Sequence, residues 1–114
     1  MCGTPPPQVS YPATLVRVID GDTQVYDLDL GFGVYTRRYI RLYGVNTPEL
    51  RGSEKPLGTK ATLAAQSWLK GGVLSFSPIL KGKYGREVGY VCRPDKGCLN
   101  DWLVKQGHAE EKCY

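Results

Sequence analysis

The chain is expected to fold as one α+β domain, a small antiparallel β-barrel with two helices packed on it. Three observations predict this. Segments of alternating or β-branched character come in a group of three and then a group of two. One segment of helical period follows each group. Gly and Pro turn signals separate most of these segments. With 114 residues, 41% hydrophobic and 23% charged, the length and composition fit a single globular domain with a workable core.

Residues 1–12 are Pro-rich and read as a flexible or extended leader, leaving 13–114 as the folded domain. Thr14 to Asp20 is β-branched and apolar, a first strand, and Gly21 marks a tight turn. Thr23 to Leu30 is the second strand, because Tyr26, Leu28 and Leu30 alternate with Asp27 and Asp29. Gly31-Phe32-Gly33 is the hairpin connection, and Val34 to Tyr43 the third strand. In it Ile40 and Leu42 share one face and Arg41 and Tyr43 the other, so Arg41 points away from a core that takes Ile40 and Leu42. A polar loop then runs through Pro56. Thr59 to Lys70 is a helix with Ala61, Ala65, Trp68 and Leu69 on one face, stopped by Gly71-Gly72. Val73 to Leu80 and Glu87 to Arg93 are the fourth and fifth strands. Pro94 to Gly97 is a turn, and Leu99 to Gln106 a second helix ended by Gly107. Five strands and two helices in this order suggest a five-stranded OB-fold barrel.

The net charge of +4, from 15 Lys+Arg against 11 Asp+Glu, is a mild bias toward an anionic partner such as nucleic acid. No run approaches the ~18 apolar residues of a membrane span. Cys2, Cys92, Cys98 and Cys113 form no CxxC pair, which argues against a zinc knuckle. Free thiols are one reading; a Cys92–Cys98 bridge across a turn, in an exported protein, is the other. Met1-Cys2-Gly3 before a Pro run reads as an ordinary start or as the acylated cysteine of a lipoprotein. The compartment stays open between secreted or cell-envelope and cytoplasmic or phage.

Three segments at strand ends concentrate chemistry. In Asp20-Gly21-Asp22-Thr23 two carboxylates in a Gly turn suit a hard cation, although Asp in turns also serves local hydrogen bonds. In Ile40 to Glu49, Arg41 offers a planar fork for phosphate and Glu49 a base for water; the plain alternative is a surface Arg–Glu pair. In Lys81-Gly82-Lys83-Tyr84-Gly85-Arg86, cations and one aromatic line a bend where a nucleotide fits, or the segment is simply a basic turn. Loops of this kind can converge on one rim of a barrel. The single histidine, His108, lies just past a helix and reads as a packing or surface residue, which leaves histidine-based catalysis without support.

Taken in order, VIDGDT, IRLYGVNTPE, a helix, KYGRE with GYV, and LNDWLVKQGHAE resemble the staphylococcal nuclease (thermonuclease) family over roughly residues 14–113. The resemblance implies a five-stranded OB barrel with flanking helices, a Ca²⁺ site, and cleavage of DNA and possibly RNA to 3′-phosphate products. By motif position it implies that Asp22, Asn46 and Thr47 hold the metal, Thr47 through its carbonyl. It makes Glu49 the general base or the group that orients water, Arg41 and Arg86 the phosphate clamp, and Lys83 and Tyr84 nucleotide contacts. Two departures stand out. Asn46 replaces the family's Asp, which should weaken calcium binding. The chain also ends at Tyr114, where the family's third helix would follow, so that helix is expected to be absent, and neither Cys113 nor Tyr114 takes a role. The expected protein is thus a monomeric calcium-dependent nuclease acting on nucleic acid. A catalytically weak nuclease-like module that only binds nucleic acid is the main alternative, and an adaptor OB domain a third.

Overall fold

In the computed structural model, which describes residues 9–81 and 86–112, alternation of side chains decides where each strand sits. β1 (Tyr11–Asp20) and β2 (Thr23–Asp29) form an antiparallel pair around the Gly21-Asp22 turn, and β3 (Tyr35–Leu42) pairs antiparallel with β2. Tyr26 and Leu28 of β2, and Ile40 and Leu42 of β3, point into the core, as the period of two requires. A short β4 (Val45–Asn46) and a 3₁₀ turn (Gly52–Glu54) lead into α1 (Lys55–Leu69). Then come β5 (Leu74–Lys81), β6 (Glu87–Arg93), β7 (Gly97–Cys98), α2 (Leu99–Lys105) and β8 (Glu110–Glu111).

The main sheet runs β3-β2-β1-β5-β6, and a parallel pairing of β3 with β6 closes it into a five-stranded barrel. With two helices packed against it, this is the expected OB fold. β7 extends the sheet as a hairpin partner of β6, while β4 and β8 form a separate two-stranded ribbon. The core takes Tyr26, Ile40, Leu42, Phe76 and Val91 from the barrel, Ala65, Trp68 and Leu69 from α1, and Leu99 and Leu103 from α2. No helix among the described residues is long and apolar enough to cross a membrane.

Several boundaries differ from expectation, and four of them have a clear local reason. β1 begins at Tyr11, inside the stretch read as leader, because Pro12 sits at the strand end and pairs only with β5. β2 stops at Asp29, whose Oδ1 accepts the Gly31 N–H at 2.8 Å and turns the chain. β3 stops at Leu42, so Tyr43 leaves the Arg41 face; it is buried and packs on Tyr90 at 5.8 Å. α1 starts at Lys55, four residues before Thr59. Pro56 occupies its first turn, where the missing N–H costs nothing.

Two ties brace the barrel against α2. Buried Asn100 donates Nδ2 to the carbonyls of Tyr43 (2.8 Å) and Gly89 (3.1 Å) and accepts the Val91 N–H at Oδ1 (3.2 Å). Cys92 and Cys98, facing each other across β6 and β7, form a disulfide, so the bridged reading of this pair holds. Cys2 and Cys113 lie outside the described residues. Replacing Asn100 by Ala removes all three buried bonds, although the Gly89 carbonyl keeps the Tyr43 N–H. It is expected to cost about 2–4 kcal/mol, measured as a lowered urea midpoint with an unchanged m-value.

Candidate active site

The turn after β1 is built from inside the barrel. Buried Gln24 donates Nε2 to the carbonyls of Asp20 (3.4 Å) and Gly21 (3.1 Å), and its Oε1 accepts the buried Tyr26 hydroxyl at 3.1 Å. This chain of bonds holds the Asp20-Gly21-Asp22 backbone from below. Gly21 is needed there, since a Cβ would stand 2.8 Å from Thr47 Cγ2. The turn can therefore lie directly against the loop that follows β4.

Asp22 is the centre of the cluster and only 7% exposed. Its Oδ2 accepts the Thr47 N–H at 3.0 Å and faces Arg41 Nη2 at 3.4 Å, and its Oδ1 accepts the Thr23 hydroxyl at 3.2 Å. Arg41 is fixed from the other side. Its Nη1 donates to the carbonyls of Val45 (2.8 Å) and Leu42 (3.1 Å), and its Nη2 lies 3.4 Å from Asn46 Oδ1. The guanidinium is thus strapped to its own strand end. Its Nε–H has no partner among the described residues and remains for an anion, together with Nη2, whose contacts are long.

Asp20 sits beside Asp22, and the two carboxyls divide their protonation. Burial, the hydrogen bond shared with Asp22 and the charge of Asp22 push Asp20 up to about 7. Burial alone would raise Asp22 as well. The bond with Asp20, the Arg41 charge and the Thr47 N–H outweigh it and hold Asp22 below the usual carboxylate range. Asp22 is therefore the anion of the pair and Asp20 the proton holder, a division that the turn motif alone did not reveal. The role of Gln24 was likewise missed; a glutamine inside a strand's inward set is the signal that pointed to it.

The remaining candidates are distributed as follows. Asn46 is exposed on β4, and Thr47 is buried next to it. Glu49 reaches out instead of in: its side chain is 65% exposed, with Oε2 3.8 Å from Arg51 Nε. Its backbone is nonetheless held, because its N–H donates to Glu54 Oε1 at 3.1 Å and Gly58 of α1 packs directly on its carbonyl. Arg86 is half-buried just before β6, and the parallel pairing of Ile40 with Glu87 and Arg41 with Val88 sets its backbone beside β3, two residues from the level of Arg41. Lys83 and Tyr84 lie outside the described residues. A cleft of about 440 Å³ adjoins the cluster, lined in part by Asn46, Thr47, Glu54, Leu57 and His108.

Asp22, Asp20 and the Asn46 amide are hard oxygen donors, so the cluster fits a hard cation such as Ca²⁺ and suits no soft metal. Among the described residues no group of three acidic, His or Cys side chains gathers around one point.

The chain is an OB barrel that carries a carboxylate–arginine cluster at one rim. The family model for staphylococcal nuclease homologues matches residues 39–114, and the chain belongs to that family. The thermonuclease of Staphylococcus hyicus is 32% identical over 105 residues, covering 88% of this chain and 59% of that protein. The thermonuclease of Staphylococcus intermedius is 36% identical over 104 residues, covering 86% and 58%. An uncharacterized endonuclease of Escherichia coli O157:H7 is 30% identical over 95 residues, covering 83% and 57%. The chain thus spans less than three-fifths of the length of these relatives.

The split between the two aspartates sets a pH dependence. Folded Asp20 keeps a proton up to about pH 7 that the unfolded chain gives up near 3.8. Its stabilising contribution is full below pH 3.8 and is lost as pH rises toward 7. In the presence of chelator, this part of the urea-stability profile should fall over that window. Asp20→Asn should flatten it; an unchanged slope in that variant would show that another group titrates.

Proposed function

We propose that this chain is a calcium-dependent nuclease, acting as a monomer through residues 13–114, that hydrolyses phosphodiester bonds of DNA, with RNA a second candidate substrate, to leave 3′-phosphate products. The observation that carries this reading is the convergence of Asp22, Arg41 and Thr47 at one rim. An anionic oxygen, a strapped guanidinium with N–H groups to spare, and a backbone loop meet there within hydrogen-bonding reach. The names of the relatives support it.

Asp22, the Asn46 amide oxygen and the Thr47 carbonyl would hold Ca²⁺, which when bound polarises the phosphate and favours ionisation of a bound water. The rest is the work of the chain's own groups. Arg41 and Arg86 clamp the phosphate and offset the negative charge that grows on its oxygens in the transition state. Arg41 suits this role because its carbonyl contacts keep it oriented before substrate arrives. Glu49 takes the proton from the attacking water; its exposed side chain can swing in while the Glu54 and Gly58 contacts hold its backbone. Lys83 and Tyr84 complete the nucleotide contacts. Asn46 would bring no charge to the metal, so this chain would bind it weakly. That same Asn46 favours the second reading, a module that binds nucleic acid with little or no catalysis.

Plasmid nicking with and without Ca²⁺ separates the two readings. Nicking that stops on chelation and returns with Ca²⁺ is expected, whereas binding without nicking selects the second. Glu49→Gln should lower kcat by about 10²–10⁴ while leaving KM nearly unchanged. Near-full turnover in that variant would remove Glu49 from the mechanism. Arg41→Lys should also cost activity, by about 10²-fold, because a point charge can neither grip both carbonyls nor present a planar edge.

A further inference from the structure

The ribbon of β4 and β8 sets a further carboxylate beside the Asp22–Arg41 cluster. Asn46 of β4 stands directly opposite Glu110 of β8. Side chains that face each other in an antiparallel pair leave the ribbon on the same side, with Cβ atoms roughly 4.5–5.5 Å apart. For Asn46 that side is the one toward the cluster, because its Oδ1 lies 3.4 Å from Arg41 Nη2. The neighbouring pair, Val45 with Glu111, faces the other way, and Val45 is buried. Asn46, Thr47 and Glu110 also line one cleft of about 440 Å³.

The backbone under Glu110 is fixed on both sides. The N–H groups of His108 and Ala109 donate to the Leu103 carbonyl at 2.8 and 3.2 Å and turn the chain back from α2. The Lys112 N–H donates to the Gly44 carbonyl at 2.8 Å. The Glu110 side chain itself is exposed, and among the described residues no cation pairs with it.

The charges at the rim give that carboxylate its meaning. Asp22 already faces Arg41 at 3.4 Å, so its charge is matched within the protein. The Asn46 amide adds an oxygen and no charge. Ca²⁺ affinity rises with the number of charged ligands, so Asp22, Asn46 and Thr47 alone would bind it weakly. A carboxylate left unpaired beside a phosphate site would also repel the phosphate. One dication between the two removes both conflicts.

We propose that Glu110 is a ligand of the metal at this site and supplies, from across the ribbon, the negative charge that Asn46 lacks. The proposal rests on the calcium-dependent reading above and adds to it a residue from β8. The acidic side chains do not already gather around one point, so Glu110 turns inward as the ion binds. An exposed side chain can do this while its strand stays paired.

The test is isothermal titration calorimetry of the full chain with calcium chloride and no nucleic acid. The rise in Tm caused by Ca²⁺ is a second readout. Glu110→Gln should raise the Kd for Ca²⁺ by about 10- to 100-fold and shrink the Tm rise. Glu111→Gln removes the same charge one residue on, from the other side of the ribbon, and should leave Kd unchanged. The double variant Asn46→Asp/Glu110→Gln moves the carboxylate across the ribbon and should regain the affinity of the unaltered chain. Circular dichroism checks that the variants fold. An unchanged Kd in Glu110→Gln overturns the proposal. So does an equal loss in Glu111→Gln, which would mark a general effect of surface charge. Ca²⁺ binding that needs Glu110, in a chain that nicks no plasmid, supports the ligand and removes only the nuclease reading. Neither heat nor a Tm shift with the unaltered chain would overturn the ligand and the calcium dependence together.

Discussion

A buried carboxylate governs the rim of this barrel. Taking Asp22 out of water is unfavourable unless its oxygens find donors. The donors come from three separate places: the Thr23 hydroxyl beside it, the Thr47 N–H beyond β4, and the Arg41 guanidinium at the end of β3. Losing any of them leaves charge unsatisfied, so the turn, the strand end and the loop hold one another in place. Close approach of backbones makes this possible. Gly21 lets the turn touch Thr47, and Gly58 lets α1 seat the Glu49 backbone. Of Asp20, Asp22 and Glu49, only Glu49 has its side chain largely in solvent.

Barrel closure brings a second candidate segment to the same strand. The parallel pairing of β3 with β6 joins strands that lie far apart in the chain. It brings the segment just before β6, with Arg86, alongside the strand that carries Arg41. Asn100 secures that junction from the helix side by bonding the Tyr43 and Gly89 carbonyls together, and the Cys92–Cys98 bridge pins the far end of β6 to β7.

Much of the fold was readable because short-range physics sets it. Ile40 and Leu42 had to share a face, as did Ala61, Ala65, Trp68 and Leu69, and all of them are buried. Boundaries were harder. The start of α1 was obscured by Pro56 and Gly58, which break helices in isolation. Here one fits the first turn and the other meets the Glu49 carbonyl. Tyr43 looked like the next outward residue of a strand, but the strand ended before it and the ring turned under Tyr90. The Cys92–Cys98 pairing stayed open because spacing alone does not say whether two cysteines face each other.

The sequence by itself determined the periodicity of each element, the kinds of chemistry at the strand ends, and, through the order of its motifs, the family. These follow from nearest-neighbour sterics and from side-chain type, which no folding is needed to know. Only the tertiary structure decided that Asp22 and Thr47, 25 residues apart, share a hydrogen bond. It alone decided that Asp20 rather than Asp22 keeps the proton, and that Glu49 waits outside. Each of these depends on distance and burial between segments remote in sequence, and those quantities exist only once the barrel has closed.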